Sequence, residues 1–306
     1  KQKVRFQYFE DCYKENAFLA EDIRQTVQNG VPLSEIAVLF RTNMQPRALM
    51  EYMVSANLAF QTKDRIPDIY EHWIARDFFT YIRIAQGSDS RADFLSIMNR
   101  PKRYIGRDSL PDETVCFDEW VKLYEEQPWI AERIEKLWYD LKHLSRLSPY
   151  AAINYIRRGI GYDDYLAEYA EYRNANKEDF YEVADEILAS AKGYRTFEEW
   201  FAHIEEYRQE LKRLAQEKRR NQNAVTFATL HSAKGLEFTK VYLIDVNEGV
   251  MPYKKAVLKQ DVEEERRLFY VGMTRAKESL TICSVKKMRG KEVELSRFIK
   301  EVGKEP

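Results

Sequence analysis

Four short apolar runs, "EIAVLF" (35–40), "VTFATL" (225–230), "KVYLIDV" (240–246) and "SLTICSV" (279–285), constrain this chain more than anything else in it. Runs such as "IAVLF" are continuous rather than alternating, which suits strands covered on both faces. Such strands belong to parallel sheets wrapped by helices. The first is preceded by a strand pattern, "VRFQYF" (4–9), and by a helical one, "YKENAFLAEDIRQTVQNG", closed by Gly30. It is followed by "PRALMEYMVSA", a helix opened by proline, and by a short strand "LAFQT" (58–62). A further helix, "DVEEERRLFYVG" (261–272), separates the last two apolar runs.

Between these strand-rich ends the character changes. From about 107 to 221, glycine and β-branched runs are rare, and tryptophan, tyrosine, glutamate and lysine recur at helical spacing, as in "WIAERIEKLWYDLKHL" and "FEEWFAHIEEYRQELKRLAQEKRR". The expected fold class is α/β, a parallel sheet with helices on both faces, interrupted by an all-helical insertion. Residues 1–106 and 222–306 then form one discontinuous domain and 107–221 the insertion.

Hydrophobic residues make up 44% of the 306, enough for a sizeable core. No apolar run approaches the roughly 20 residues that cross a bilayer, and "KQKVRFQYFE" lacks a signal-peptide h-region. The reading is a soluble protein, or a piece of one, with no membrane partner. Cys12, Cys116 and Cys283 lie far apart without a CxxC pair, so they read as buried thiols in a reducing cytoplasm. With 49 basic and 50 acidic residues the formal net charge is -1, so any nucleic-acid surface is local. The basic runs "KRLAQEKRR" (212–220) and "KKMRGK" (286–291) read as solvated faces or helix ends.

No G-x-x-x-x-G-K-[ST] occurs, so this polypeptide lacks the backbone nest that cradles nucleotide phosphates. Asp185 and Glu186 lie in a helical pattern and read as solvated carboxylates rather than metal ligands. "TLHSAKGLEF" (229–238) places Thr229, His231, Lys234 and Glu237 after a buried strand, at the sheet edge where open α/β folds bind ligands. Gly235 permits close backbone approach, and Glu237 can accept hydrogen bonds from ribose hydroxyls. An ordinary capped loop is the other reading.

"EEERRLFYVGMTRAKE" reads as a helix with Glu263 and Arg267 paired at i,i+4 and a buried stripe of Val262, Phe269 and Met273. A turn after Gly272 presents Arg275, whose guanidinium can fork onto phosphoryl oxygens or merely form a salt bridge. Phe40 and Arg41 end "IAVLF" in the same way: a base-and-phosphate site, or a core ring beside a surface cation.

Together these stretches resemble the carboxy-terminal motor half of superfamily 1 DNA helicases of the UvrD/Rep/PcrA type. "IAVLFRTNMQPRALMEYM" is similar to that family's motif IV, "TLHSAKGLEFTKVYLIDVNEGVMP" to motif V, and "EEERRLFYVGMTRAKESLTI" to motif VI. "NRPKRYIG" (99–106) resembles the exit into the 2B subdomain, with Tyr104 where glycine is usual; "IRRGIGYDDYL" and "ADEILASAKGYRTFEEWFAHIE" resemble helices of 2B. The resemblance implies a RecA-like 2A domain interrupted by a 2B-like insertion, and a first motor domain, 1A with 1B, outside this chain.

By that resemblance ATP is held between 1A and 2A, with Mg2+ bound by carboxylates of the absent domain. Phe40, often tyrosine in the family, stacks on adenine. Arg41 and Arg275 converge at one rim of the sheet to reach the γ-phosphate, and Gly235 and Glu237 complete the nucleotide side. Thr229, His231, Lys234 and Arg103 contact DNA, single-stranded and at the duplex junction. The resemblance implies an ATP-dependent helicase, translocating 3′ to 5′, in which this part alone is inactive. The other functional reading is a non-motor DNA- or protein-binding regulatory module built on a helicase remnant.

Overall fold

The computed structural model describes residues 3–216 and 223–302. The chain divides into two compact units, Lys1–Pro67 with Glu206–Pro306, and Asp68–Glu205. In chain order the first segment contributes β1 (Lys3–Asp11), α1 (Cys12–Gln28), β2 (Ile36–Phe40), α2 (Arg47–Ser55) and β3 (Phe60–Thr62). The helical unit follows with α3 (Trp73–Ala85), α4 (Arg91–Ile97), α5 (Phe117–Lys122), α6 (Pro128–Leu144), α7 (Pro149–Arg158), α8 (Tyr162–Tyr172) and α9 (Lys177–Ser190), and α10 (Phe197–Gln216) begins within it. The last segment adds β4 (Val225–Thr229), β5 (Phe238–Leu243), α11 (Lys259–Met273), β6 (Ala276–Met288), β7 (Lys291–Glu292) and α12 (Arg297–Glu301).

The seven described strands form one sheet in the order β1-β6-β5-β2-β4-β3, with every neighbouring pair parallel; β7 adds antiparallel to β6. Strands of the first segment pair with strands of the last: β1 with β6, β2 with β4 and β5, and β3 with β4. Alternate side chains of the central strands, Ala37, Leu39, Ala228, Leu230, Val241, Leu243, Leu280 and Ile282, share one buried cluster with Leu268 and Phe269 of α11 and Phe298 and Ile299 of α12. Asp11 caps α1 by accepting from Lys14 N, and Gly30 follows its end at φ +92°.

The helical unit is organised around Trp200, Tyr81, Tyr162 and Phe78, all fully buried. Buried Asp77 is held by Arg100 at 2.7 and 2.9 Å and by the Tyr162 hydroxyl at 2.6 Å. The composition change at 107 falls after α3 and α4, whereas the compact helical unit starts at Asp68 and includes both.

Several local expectations are corrected. Gly272 lies in the last turn of α11 and the turn at Thr274 and Arg275 follows it; a Cβ at Gly272 would overlap the Leu230 side chain and crowd that of Leu243. It is glycine because the helix packs closely on the sheet. On α11 the ion pairs run i,i+3, Glu263 to Arg266 and Glu264 to Arg267, in place of Glu263 to Arg267. Asp185 is not solvated: it accepts from Arg157 at 2.6 Å, and Glu186 is buried. All three cysteines are free, but only Cys283 is buried, and Cys116 is exposed. In the basic runs, Lys286 and Lys287 pair with Glu10, and residues 217–220 lie outside the described residues. No described helix is long and apolar enough to cross a membrane.

Candidate functional site

The segment joining β4 to β5 is anchored by Leu230 and Ala233, both buried, leaving His231, Ser232, Lys234, Gly235 and Glu237 exposed. Its turn closes through Ala233 N to Thr229 O at 2.9 Å and Lys234 N to His231 O at 3.2 Å, and Gly235 takes φ +83°, the left-handed conformation that favours glycine. Thr229 Oγ1 accepts from Ser232 N at 3.2 Å, so its hydroxyl is part of the turn. Asp64 fixes the turn from outside by accepting from Thr229 N at 2.7 Å and from the Ser232 hydroxyl. The side chains of His231, Lys234 and Glu237 make no hydrogen bond or ion pair among the described residues. They form an open polar surface carrying one cation, one imidazole and one carboxylate.

Arg275 reaches this same segment. It donates from Nη1 to Leu236 O at 2.9 Å, from Nε to Val271 O at 2.9 Å and from Nη2 to Thr274 Oγ1 at 2.9 Å. No carboxylate pairs with it among the described residues. Its orientation is fixed by neutral acceptors, and its positive charge is uncompensated, with two of five N–H donors unused.

Arg41 is held differently. Its Nε and Nη2 grip Glu265 at 2.8 to 3.1 Å, a two-pronged ion pair in which the arginine side chain is 19% and the carboxylate 9% exposed. Glu265 also accepts from Tyr253 N at 3.0 Å, and the Tyr253 ring lies 5.2 Å from the Arg41 guanidinium carbon. Gln45 accepts from Arg41 N and Thr42 N at 2.8 and 2.7 Å and donates to Asp245 at 3.4 Å. Beneath it Glu15 is buried, and its carboxyl titrates well above the usual range because burial disfavours its charge and Asp245 adds a second negative group.

Three expectations about site residues meet this geometry and change. The register Ile36↔Lys240 and Phe238↔Ala276 sets Arg41 just past the carboxyl end of β2 and Arg275 just before the amino end of β6. The two do not share a strand rim; they share α11, on which their partners Glu265 and Val271 are about 9 Å apart along the axis. Phe40 is 1% exposed and tilts against Phe227 at 6.4 Å. The cavity it borders with Arg41 and Phe269 is about 10 Å³, no larger than one water, so a base has no face there to stack on. The reachable ring beside Arg41 is Tyr253.

Arg103 is 8% exposed. Its guanidinium donates to the carbonyls of Ile97, Met98 and Pro101 and to the Tyr81 hydroxyl, at 3.0 to 3.3 Å. A phosphate would have to displace those acceptors, and Arg103 is a structural residue of the helical unit.

Sequence reasoning missed Asp64, Glu265 and Tyr253. Asp64 lies in a polar loop with no signal, whereas Glu265, inside "EEERRL", was visible only as one of three equivalent glutamates. The fit to a nucleotide is partial: one arginine with a free charge and an exposed carboxylate two residues from Lys234's neighbour Gly235, without a phosphate-cradling backbone motif.

Residues 1–112 and 130–287 match the model of the UvrD-like helicase C-terminal domain. The chain is 27% identical to the putative ATP-dependent DNA helicase YjcD of Bacillus subtilis (strain 168), over 94% of this chain and 39% of that protein. It is 28% identical to the ATP-dependent DNA helicase PcrA of the same organism, over 93% and 41%. It is 27% identical to the ATP-dependent DNA helicase Rep of Escherichia coli (strain K12), over 90% and 44%. The chain thus spans about two fifths of the length of the curated relatives it matches.

Proposed function

The chain belongs to the UvrD-like helicase C-terminal domain family, and from that premise we propose that it is the carboxy-terminal part of an ATP-dependent DNA helicase. In this reading it moves 3′ to 5′ on single-stranded DNA, in cytoplasmic DNA repair or replication. A 1A/1B motor domain outside these 306 residues holds the nucleotide on its phosphate loop and binds Mg2+ through its own carboxylates. The observation that carries the proposal is the hydrogen bond from Arg275 to Leu236 O, which joins an arginine of uncompensated charge to the segment bearing Lys234, Gly235 and Glu237.

ATP supplies the phosphoryl group whose transfer to water drives movement. Arg275, already oriented by carbonyls, directs its charge at the phosphoryl oxygens without a reorganisation cost. Glu237 accepts from ribose hydroxyls, and Gly235 lets the backbone come close. Arg41, held by Glu265, keeps the end of β2 in place instead of meeting the phosphate. On the DNA side, His231 and Lys234 hold strand phosphates while Thr229 keeps the turn in shape. A domain that contributes cations but no phosphate loop supplies positioning alone, and positioning is most of what phosphoryl transfer asks of a protein.

The chain by itself is therefore expected to show negligible ATP hydrolysis, with or without single-stranded DNA, in a phosphate-release assay. DNA-stimulated turnover by the purified chain that disappears in Arg275→Ala would contradict the proposed division of labour.

A further inference from the structure

We propose that the helical unit carries a separate nucleic-acid contact, a stacking platform of Trp129 and Tyr104 that takes an unpaired base together with its flanking phosphates. It rests on the reading of the chain as part of a DNA helicase and uses none of the residues assigned above to nucleotide or strand.

Tyr104 is 56% exposed and Trp129, in the first turn of α6, is 49% exposed. Their ring centroids are 6.3 Å apart at 67°. Arg133, one turn along α6, lies over both rings, 4.9 Å from Trp129 and 5.2 Å from Tyr104, and Lys102 lies 4.6 Å from Tyr104. Arg133 also donates to Arg103 O at 3.1 Å, fastening the Tyr104 loop to the helix. Neither Lys102 nor Arg133 forms an ion pair among the described residues.

Tyr104 takes φ +60°, a left-handed conformation that a bulky side chain adopts at a cost. Backbone in that region persists where the surroundings hold it, and it is concentrated at binding sites. The strained backbone here holds out an aromatic ring instead of burying it.

A ligand matching this surface needs a flat π-face and negative charge together. Cations repel a basic peptide, and an acidic peptide leaves the rings exposed to water. A nucleic-acid strand answers both needs, because every base has a face to stack and every linkage a phosphate. The indole face not covered by Arg133 is the natural seat for the base, with Lys102 and Arg133 meeting the phosphates on either side.

The test is binding of the 306-residue chain to a fluorescent oligothymidine and to an abasic strand of equal length, by anisotropy at fixed low salt. Tyr104→Gly is the informative variant, since glycine takes φ +60° without strain and the fold is retained, as thermal melting checks. Tyr104→Gly and Trp129→Ala are each expected to weaken oligothymidine binding roughly 5- to 100-fold and to leave abasic binding unchanged, while Tyr104→Phe binds as wild type. Equal affinity of the wild type for both strands, or unchanged binding in Tyr104→Gly, would overturn the platform. If His231→Ala with Lys234→Ala abolishes binding while the ring variants bind normally, the platform fails and the helicase reading stands. If the wild type binds neither strand, both fail.

Discussion

Arg41 and Arg275 carry the same guanidinium and fold onto the same helix, yet one is neutralised and the other is not. Arg41 spends its charge on Glu265 under the Tyr253 ring; Arg275 spends hydrogen bonds on Leu236 O and Val271 O and keeps its charge. A phosphate arriving at Arg41 replaces one anion with another, so the net gain is the difference of two similar interactions. At Arg275 it meets a charge that carbonyl dipoles only partly satisfy, so the whole attraction counts. Side-chain identity alone does not make an arginine an anion receptor; what already occupies it decides.

The comparison can be broken first at Glu265. Glu265→Ala leaves Arg41 half-buried without a counter-charge and also removes the acceptor of Tyr253 N, and it is expected to destabilise the sheet unit by about 3 kcal/mol in chemical denaturation. A loss below about 1 kcal/mol would mean that Arg41 is not committed to that carboxylate. Arg275 has no such partner to remove.

A smaller effect sharpens the Arg41 side through its foundation. Glu15, beneath the Gln45–Asp245 link, keeps its proton in the folded protein well above the pH at which an unfolded glutamate loses it. The native state then binds more protons than the unfolded one from about pH 4.3 up to the raised value. Stability from this group is present in full below that window and is lost as pH rises through it. Glu15→Gln is expected to flatten the fall in melting temperature above about pH 4.3 and to raise it at the upper end of that window. Parallel curves for the two proteins would show that the carboxyl is not protonated.

The smallest effect lies on the Arg275 side. Asp64→Ala frees Thr229 N and Ser232 and is expected to cost about 1 kcal/mol in denaturation, with His231 and Lys234 losing their fixed spacing and hence some affinity for single-stranded DNA. Unaltered DNA binding would separate the turn from the strand contact.

The strands of the sheet unit were legible because continuous apolar runs have one physical explanation, and β2, β4, β5 and β6 lie within a few residues of "EIAVLF", "VTFATL", "KVYLIDV" and "SLTICSV". The exposed members of "TLHSAKGLEF" were legible too, since the loop's polar residues had only solvent or ligand to face. What pattern does not encode is the partner of a charge. The resemblance puts Arg103 on DNA, but it turns inward to four acceptors, and Phe40 looked available at a strand end but is sealed by Phe227. Glu265 and Tyr253 meet Arg41 across 224 and 212 positions of sequence, a juxtaposition that only the folded sheet produces.

Single-turnover ATP hydrolysis by the full-length protein, at saturating ATP and single-stranded DNA, tests the contrast and the proposed function most directly when Arg275→Ala and Arg41→Ala are measured side by side. The expected result is a loss on the order of 10³-fold for Arg275→Ala, the scale of an arginine acting on a transferring phosphoryl group, and a loss at least about tenfold smaller for Arg41→Ala, whose charge is already matched. Hydrolysis by Arg275→Ala at the wild-type rate, or a larger defect in Arg41→Ala, would contradict it.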